Sequence, residues 1–267
     1  MWDTLIVEPM VNVLLLIYNF VAAHNFGLAI ILFTILIRLI THPLMVQQIK
    51  GAQGMQQMQS SEKWIAIQKK YKDDKEKLAQ EQMKLYQELG INPFASCLPT
   101  LIQLPIIFGL YQAITSALAV SPLSLLTFST HLYPFIDGAN LIPLNSHFLW
   151  MNLSQPERLN VFGIGIPILT ILVVITTFLQ QKLMMPATTA PGANDQSAQM
   201  TKMMNIYMPL FMGYIALTLA SGLALYFVAS NLVGIAQYAA LGKLNWRNLL
   251  PKKADADNKA VKPKTAK

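Results

Sequence analysis

Apolar residues along this chain gather into runs near the ~20 residues that a bilayer-crossing helix needs. The runs predict spans at about Phe26 to Gln48, Leu98 to Leu118, Val161 to Gln181, Ile206 to Ala220 and Gly222 to Leu241. Ser221-Gly222 is the one turn-like dipeptide between the last two, so these should form a tight hairpin whose first helix begins earlier, around Met200. Ahead of the first span, Trp2 to Phe20 has only a brief uninterrupted apolar core, Val13 to Tyr18, flanked by Pro9, Asn12 and Asn19. It reads as an interfacial helix in preference to a sixth span.

The polar stretch between the first two spans keeps a helical rhythm. Trp64, Ile67 and Tyr71 recur at helical spacing, and so do Leu78, Leu85 and Leu89. Asp73-Asp74-Lys75-Glu76 offers a helix start between them, and Gly90 followed by Pro93 offers a stop. Two amphipathic helices folded into an antiparallel hairpin over about residues 50–92 are predicted. The plainer alternative is a solvated linker of balanced charge, with eight Lys against six acids from Lys50 to Glu88. The expected organisation is an interfacial helix and link over 1–25, a five-span core over 26–241, and a basic, disordered tail over 242–267.

Composition supports the membrane reading. The 267 residues are 54% hydrophobic and only 12% charged, with a mean hydropathy of +0.41. A soluble domain carries roughly 25% charge, so a water-soluble enzyme, a disordered protein and a nucleic-acid module are all disfavoured. The fold class is therefore all-α and polytopic.

Of the formal net +7, the stretch from Lys243 to Lys267 carries +6, from seven Lys and Arg247 less Asp255 and Asp257. Such a tail suits acidic lipid head groups or RNA, and so membrane lipids or a ribosome. Basic residues also set orientation, because basic loops stay on the cytoplasmic side. The Lys50 to Glu88 segment, Lys182 and Lys202 after the third span, and the tail fall on one face, against Arg158 on the other. An outside N-terminus and a cytoplasmic C-terminus satisfy these counts. No Lys or Arg precedes Arg38, so no cleavable signal peptide is expected and the mature chain should start near Met1.

Arg38 is the sharpest chemical feature. It lies twelve residues after Phe26, about 18 Å down its helix, and no acidic residue lies in any predicted span. Thr34, Arg38, Thr41 and His42 share one helical face. Thr170, Thr177 and Gln181 form a stripe on the third span; Gln112, Thr115 and Ser116 mark the second, and Ser230, Asn231 and Gln237 the last. Singly, such residues serve as interhelical glue. Gathered around an unpaired cation, they fit a water-filled cavity better. Snorkelling of Arg38 to the cytoplasmic interface is the competing account.

No Walker-type glycine loop, no HExxH and no Ser/His/Asp set capable of sharing one site occurs, so no enzymatic chemistry and no cofactor are expected. His24, His42, His131 and His147 lack ligand spacing, and Cys97 is the lone cysteine, so no metal site or disulfide is expected. Met-rich stretches, QGMQQMQSSEK and QMTKMMNIYM, suit either adaptable apolar contacts or interfacial anchoring.

The run KYKDDKEKLAQEQMKLYQELGINPFASCLPTLIQLPIIFGLYQAI, with MPLFMGYIALTLASGLALYFVASNLVGIAQ and TILIRLITHPL, resembles the YidC/Oxa/Alb membrane protein insertases. The similarity covers nearly everything from Trp2 to Leu241, in the short form without a large periplasmic domain. The resemblance implies a five-helix core with a hydrophilic groove open to cytosol and lipid, and a mobile hairpin that receives substrates. It implies a bacterial plasma membrane location and nascent membrane proteins as partners, with the chain working alone or beside the Sec translocon. Arg38 matches the groove arginine and Thr34 a threonine one turn earlier. Tyr226-Phe227 matches an aromatic pair where nascent chains pass; some relatives have tyrosine in place of Phe227. The residues alone leave a secondary transporter or channel for an anionic solute as the alternative.

Overall fold

The computed structural model describes residues 2–59, 61–71, 74–91, 98–118, 128, 131–134, 136, 144–161, 164–184, 196–244 and 246. A π-helical turn, Asp3–Val7, leads into α1 (Glu8–Phe20). There follow α2 (Phe26–Ile40), α3 (His42–Gln59), α4 (Glu62–Lys70), α5 (Lys75–Glu88) and α6 (Leu98–Ala117). Two antiparallel strand pairs come next, β1 (His147–Phe148) with β2 (Met151–Asn152) and β3 (Leu159–Val161) with β4 (Ile164–Ile166). Helices α7 (Ile168–Met184), α8 (Gln196–Thr218) and α9 (Ser221–Ala240) complete the order.

Helix α9 is the axis of the bundle. Its first seven residues are all buried, and it packs against α7 and α2, with α6 beside it and α8 laid along α7. Leu223, Ala224 and Tyr226 join Phe26, Ile30 and Phe33 of α2 and Leu110, Ala113 and Ile114 of α6 in one apolar core. The outer faces are also apolar: Ile171 and Ile175 of α7, Tyr207, Leu210, Phe211 and Tyr214 of α8, and Leu104 and Phe108 of α6 are exposed. Water would penalise so broad an apolar exterior, and lipid would not.

At one end of the bundle, residues 150–157 form a strap. Asn152 O accepts from Ser221 Oγ (2.8 Å), while Leu153 O and Gln155 O accept from the Gly222 and Ser221 amides (3.0 and 2.9 Å). These bonds satisfy the otherwise orphan donors at the start of α9. Glu157, 8% exposed, accepts from Trp150 Nε1 (2.7 Å) and from the Leu169 amide in the first turn of α7 (2.5 Å). A carboxylate there is favoured by the positive end of the helix dipole.

At the other end, α4 and α5 pair antiparallel. Met58, Trp64, Leu85 and Tyr86 form their own small core with Met55, Ile67, Leu78 and Ile91. Ser61 and Asp74 cap the two helices by accepting from the Trp64 and Lys77 amides. Gly90, at φ +64°, closes α5, with the Ile91 amide donating to Tyr86 O (2.9 Å). The two amphipathic helices appear where their spacing put them, but the hairpin is shorter than the expected 50–92: residues 50–59 continue α3, Leu89 is exposed, and Pro93 lies outside the described residues. Met55 and Met58, from one Met-rich stretch, serve this core; most of the other stretch lies outside the described side chains.

Several boundaries depart from expectation. The first span does not run to Gln48: α2 ends at Ile40 and the chain bends by 60° into α3. Pro43 lacks an amide and its ring clashes with the preceding turn, so it belongs at the start of a new helix. The third span begins at Ile168 and not Val161, because 159–161 and 164–166 are strands and Pro167 precedes the helix. The all-α expectation is thus amended to a mostly helical fold with two short strand pairs. The N-terminal helix runs over Asp3–Phe20, within the Trp2 to Phe20 expected for it. Asn12, taken as a flank, is buried inside it and fully engaged, donating to Glu8 O and His131 O and accepting from the Tyr133 amide.

By length and composition, Asp3–Phe20 and α9 can each cross a bilayer, and α2 with α3 makes a third span if the bent pair counts as one. Helix α7 and the Ile206–Thr218 part of α8 are shorter apolar helices. The tail beyond Trp246 lies outside the described residues.

A candidate polar groove around Arg38

Helix α2 places Arg38 in its last turn, facing the middle of α9. The Arg38 main-chain carbonyl accepts from Gln237 Nε2 (2.9 Å), while its guanidinium donates through Nε (3.0 Å) and Nη2 (2.7 Å) to Ser230 Oγ. Seven residues of α9, about 10 Å, separate those two anchors. The side chain therefore reaches from its own backbone toward the strap end, into the bundle. Snorkelling would point it the opposite way, toward the hairpin end. Among the described residues no carboxylate pairs with it.

Around this cation the expected residues divide. His42 Nδ1 stands 3.5 Å from Gln237 Nε2, so Arg38, His42, Ser230 and Gln237 form one cluster across α2, α3 and α9. Gln237 Oε1 and Gln181 Oε1 are buried and have no hydrogen-bond partner among the described residues. Tyr226 and Phe227 are buried about one turn above Ser230, with ring centroids 5.7 Å apart. Thr34 is buried and donates to Ile30 O (2.6 Å), and Thr41 donates to Ile37 O (2.8 Å). Both hydroxyls thus satisfy their own helix.

Thr177 and Asn231 act as a seam: Asn231 Nδ2 donates to Thr177 Oγ1 (2.9 Å) and Thr176 Oγ1 (3.1 Å), tying α9 to α7. Gln112 stands apart. It is exposed and accepts from Trp2 Nε1 (2.8 Å), nine residues or about 13 Å along α6 from the position that does face the groove. That position is Gln103, whose amide donates to the Tyr226 hydroxyl.

Gln180 was also missed. A methyl built on Gly234 would lie 2.8 Å from Gln180 Nε2 and 3.5 Å from Arg38 Nη1, so the glycine gives both groups access to the α9 backbone. Helical periodicity could have found Gln103 only through depth, because it counts faces and not levels. Choosing Gln180 over Gln181 requires the packing angle of α7 on α9.

The 60Kd inner membrane protein family model matches residues 16–247. The chain is 37% identical to the membrane protein insertase YidC of Oceanobacillus iheyensis over 248 residues, covering 91% of this chain and 84% of that protein. It is 34% identical to the membrane protein insertase MisCA of Bacillus subtilis, covering 97% of this chain and 86% of that protein. A crystal structure of an active YidC insertase with its first transmembrane domain resolved superposes with a TM-score of 0.55 at 27% identity, covering 88% of this chain and 45% of that one. A transporter or channel finds no support among these relatives. The polar cluster at Arg38 thus sits in a chain that belongs to the 60Kd inner membrane protein family, the family of the YidC membrane protein insertases.

Proposed function

We propose that this insertase takes a short hydrophilic segment of a nascent membrane protein into the polar region beside Arg38 while the adjoining apolar segment passes into lipid. The observation carrying this reading is a guanidinium, without a carboxylate partner among the described residues, held inside an apolar bundle by Ser230. Moving a polar segment through about 30 Å of hydrocarbon is costly, and a polar recess shortens the dry path. Attraction between the cation and an acidic or polar segment strengthens where the dielectric is low. Burying ~20 apolar residues in lipid supplies the drive, and no nucleotide is needed. We place five spans in the bacterial plasma membrane, with the bent α2–α3 pair as the first and the Asp3–Phe20 helix lying at the outer surface. The hairpin and tail face the cytosol, where the hairpin receives substrates, alone or beside the Sec translocon, and the basic tail contacts a ribosome.

Insertion into proteoliposomes of matched substrates with acidic or neutralised N-terminal segments tests the groove. Arg38→Ala should lose insertion of the acidic substrate, and Arg38→Lys should keep part of it because the charge remains. Equal insertion of that substrate by wild type and Arg38→Ala would falsify the reading.

A further inference from the structure

The turn between β1 and β2 is Leu149-Trp150, closed by the Phe148–Met151 pair. Leu149 sits at φ +53°, a left-handed conformation that hairpin turns of this length ordinarily fill with glycine or asparagine. Leu149 is nevertheless 73% exposed and Trp150 47% exposed, so packing within the chain does not explain the choice. The stem below the tip is fixed. The Phe148 ring covers Gly27 so closely that a Cβ there would overlap it, and Met151 is buried in the core. Trp150 Nε1 donates to Glu157, so the exposed part of the indole is its apolar part.

The neighbours of this turn are the first turns of three helices. Gly27 is the second residue of α2, the Leu169 amide that donates to Glu157 is the second of α7, and Ser221, which donates to Asn152 O, begins α9. The tip therefore lies level with the ends of those helices. Just ahead of α2, Phe20 and Val21 at the end of α1 are exposed as well. Arg158, next to Glu157, is exposed and makes no ion pair among the described residues.

We infer that the β1–β2 turn is an interfacial anchor: Leu149 and the Trp150 ring enter the outer leaflet at the boundary between head groups and acyl chains, and Arg158 meets a lipid phosphate. The inference rests on the topology proposed above, which puts these helix ends at the outer surface. A tryptophan with its N–H on a polar partner and its ring in an apolar medium suits that layer. Water penalises the leucine at the tip, whereas acyl chains accept it. The guanidinium supplies the charge complementary to a phosphate. Because the tip runs straight into the strap, the anchor fixes the depth at which the strap end of the bundle sits in lipid.

The depth of a fluorophore tests the anchor. In the full chain with Cys97→Ser, a bimane is attached at Leu149→Cys or, separately, at Arg158→Cys, and the protein is placed in vesicles of phosphatidylcholine and phosphatidylglycerol. The lipids carry a quenching nitroxide on the head group, near the top of the acyl chain or near its end, and iodide serves as the aqueous quencher. The expected result is strongest quenching by the head-group and upper-chain nitroxides at both positions, with iodide weak at position 149. Leu149→Asn keeps a residue suited to the left-handed turn and removes the apolar tip. It should therefore lower the nitroxide quenching of the label at position 158.

Strong quenching by iodide at position 149, with none from the lipids, overturns the anchor. Quenching by no probe overturns it too, because a second copy or another membrane protein then covers the tip. An unchanged profile at position 158 in Leu149→Asn overturns it as well. The side of the membrane is read separately, by an impermeant thiol reagent on a cysteine at Ser154. Lipid quenching combined with labelling from inside overturns the topology and leaves an anchor in the inner leaflet. Should Leu149→Cys not fold, the label at position 158 alone decides.

Discussion

Ser230 holds the groove cation by accepting two of its donors. Ser230→Ala leaves Nε and Nη2 without that acceptor, an expected loss of about 1 to 3 kcal/mol in the orientation of Arg38. Insertion of acidic substrates should fall about tenfold, and Ser230→Thr, which keeps a hydroxyl, should recover most of it; insertion kinetics for the two variants check this. Asn231 makes a useful contrast, because its amide serves the α7–α9 seam. Asn231→Leu should cost about 0.6 to 2 kcal/mol of stability in a detergent unfolding assay while leaving the acidic preference in place. Arg38, Ser230 and Gln237 were legible in the sequence because each is a polar position on an apolar helical face. Gln103, Thr176 and Gln180 were not. A stripe gives direction around a helix, whereas which residues meet depends on how far each helix slides past its neighbour.

At the scale of elements, helices α4 and α5 were legible from capping residues and apolar spacing, since both signals are local, whereas the start of the hairpin was placed too early, inside α3. Asp74 illustrates how local. Hydrogen bonds from the Lys77 amide and side chain hold its carboxyl below the usual aspartate value. The cap therefore favours the folded hairpin above the ordinary carboxylate range and loses that contribution as pH falls through the lowered value. Circular dichroism should show a smaller acid-induced loss of helix in Asp74→Ala than in the parent. The exposed Lys63–Glu88 pair should matter little, and charge reversal of one partner should leave the hairpin folded. The bend between α2 and α3 was not legible, although Pro43 was in view, because the apolar run resumes at Leu44-Met45-Val46 after only Thr41, His42 and Pro43. Likewise the Gly- and Ile-rich entry to α7 has the hydropathy of a span, and only strand pairing reveals it as β3 and β4.

For the whole molecule, the proposed topology requires a cysteine placed at Ser154, with Cys97 removed, to react with an impermeant reagent from outside, and one at Lys77 to react only from inside. The opposite pattern would invert the molecule. The strap then acquires a physiological meaning. Residues 150–157 knit the ends of α7 and α9 with hydrogen bonds from Trp150, Ser221, Gly222 and the Leu169 amide, over a core that includes Leu153 and Phe26. In the topology and groove reading proposed above, the strap makes the recess a cul-de-sac, which would let a polar segment enter without short-circuiting the proton-motive force. Planar bilayers containing the protein should remain electrically silent. Glu157→Ala, which frees Trp150 and the first turn of α7 together, should introduce a measurable ionic leak.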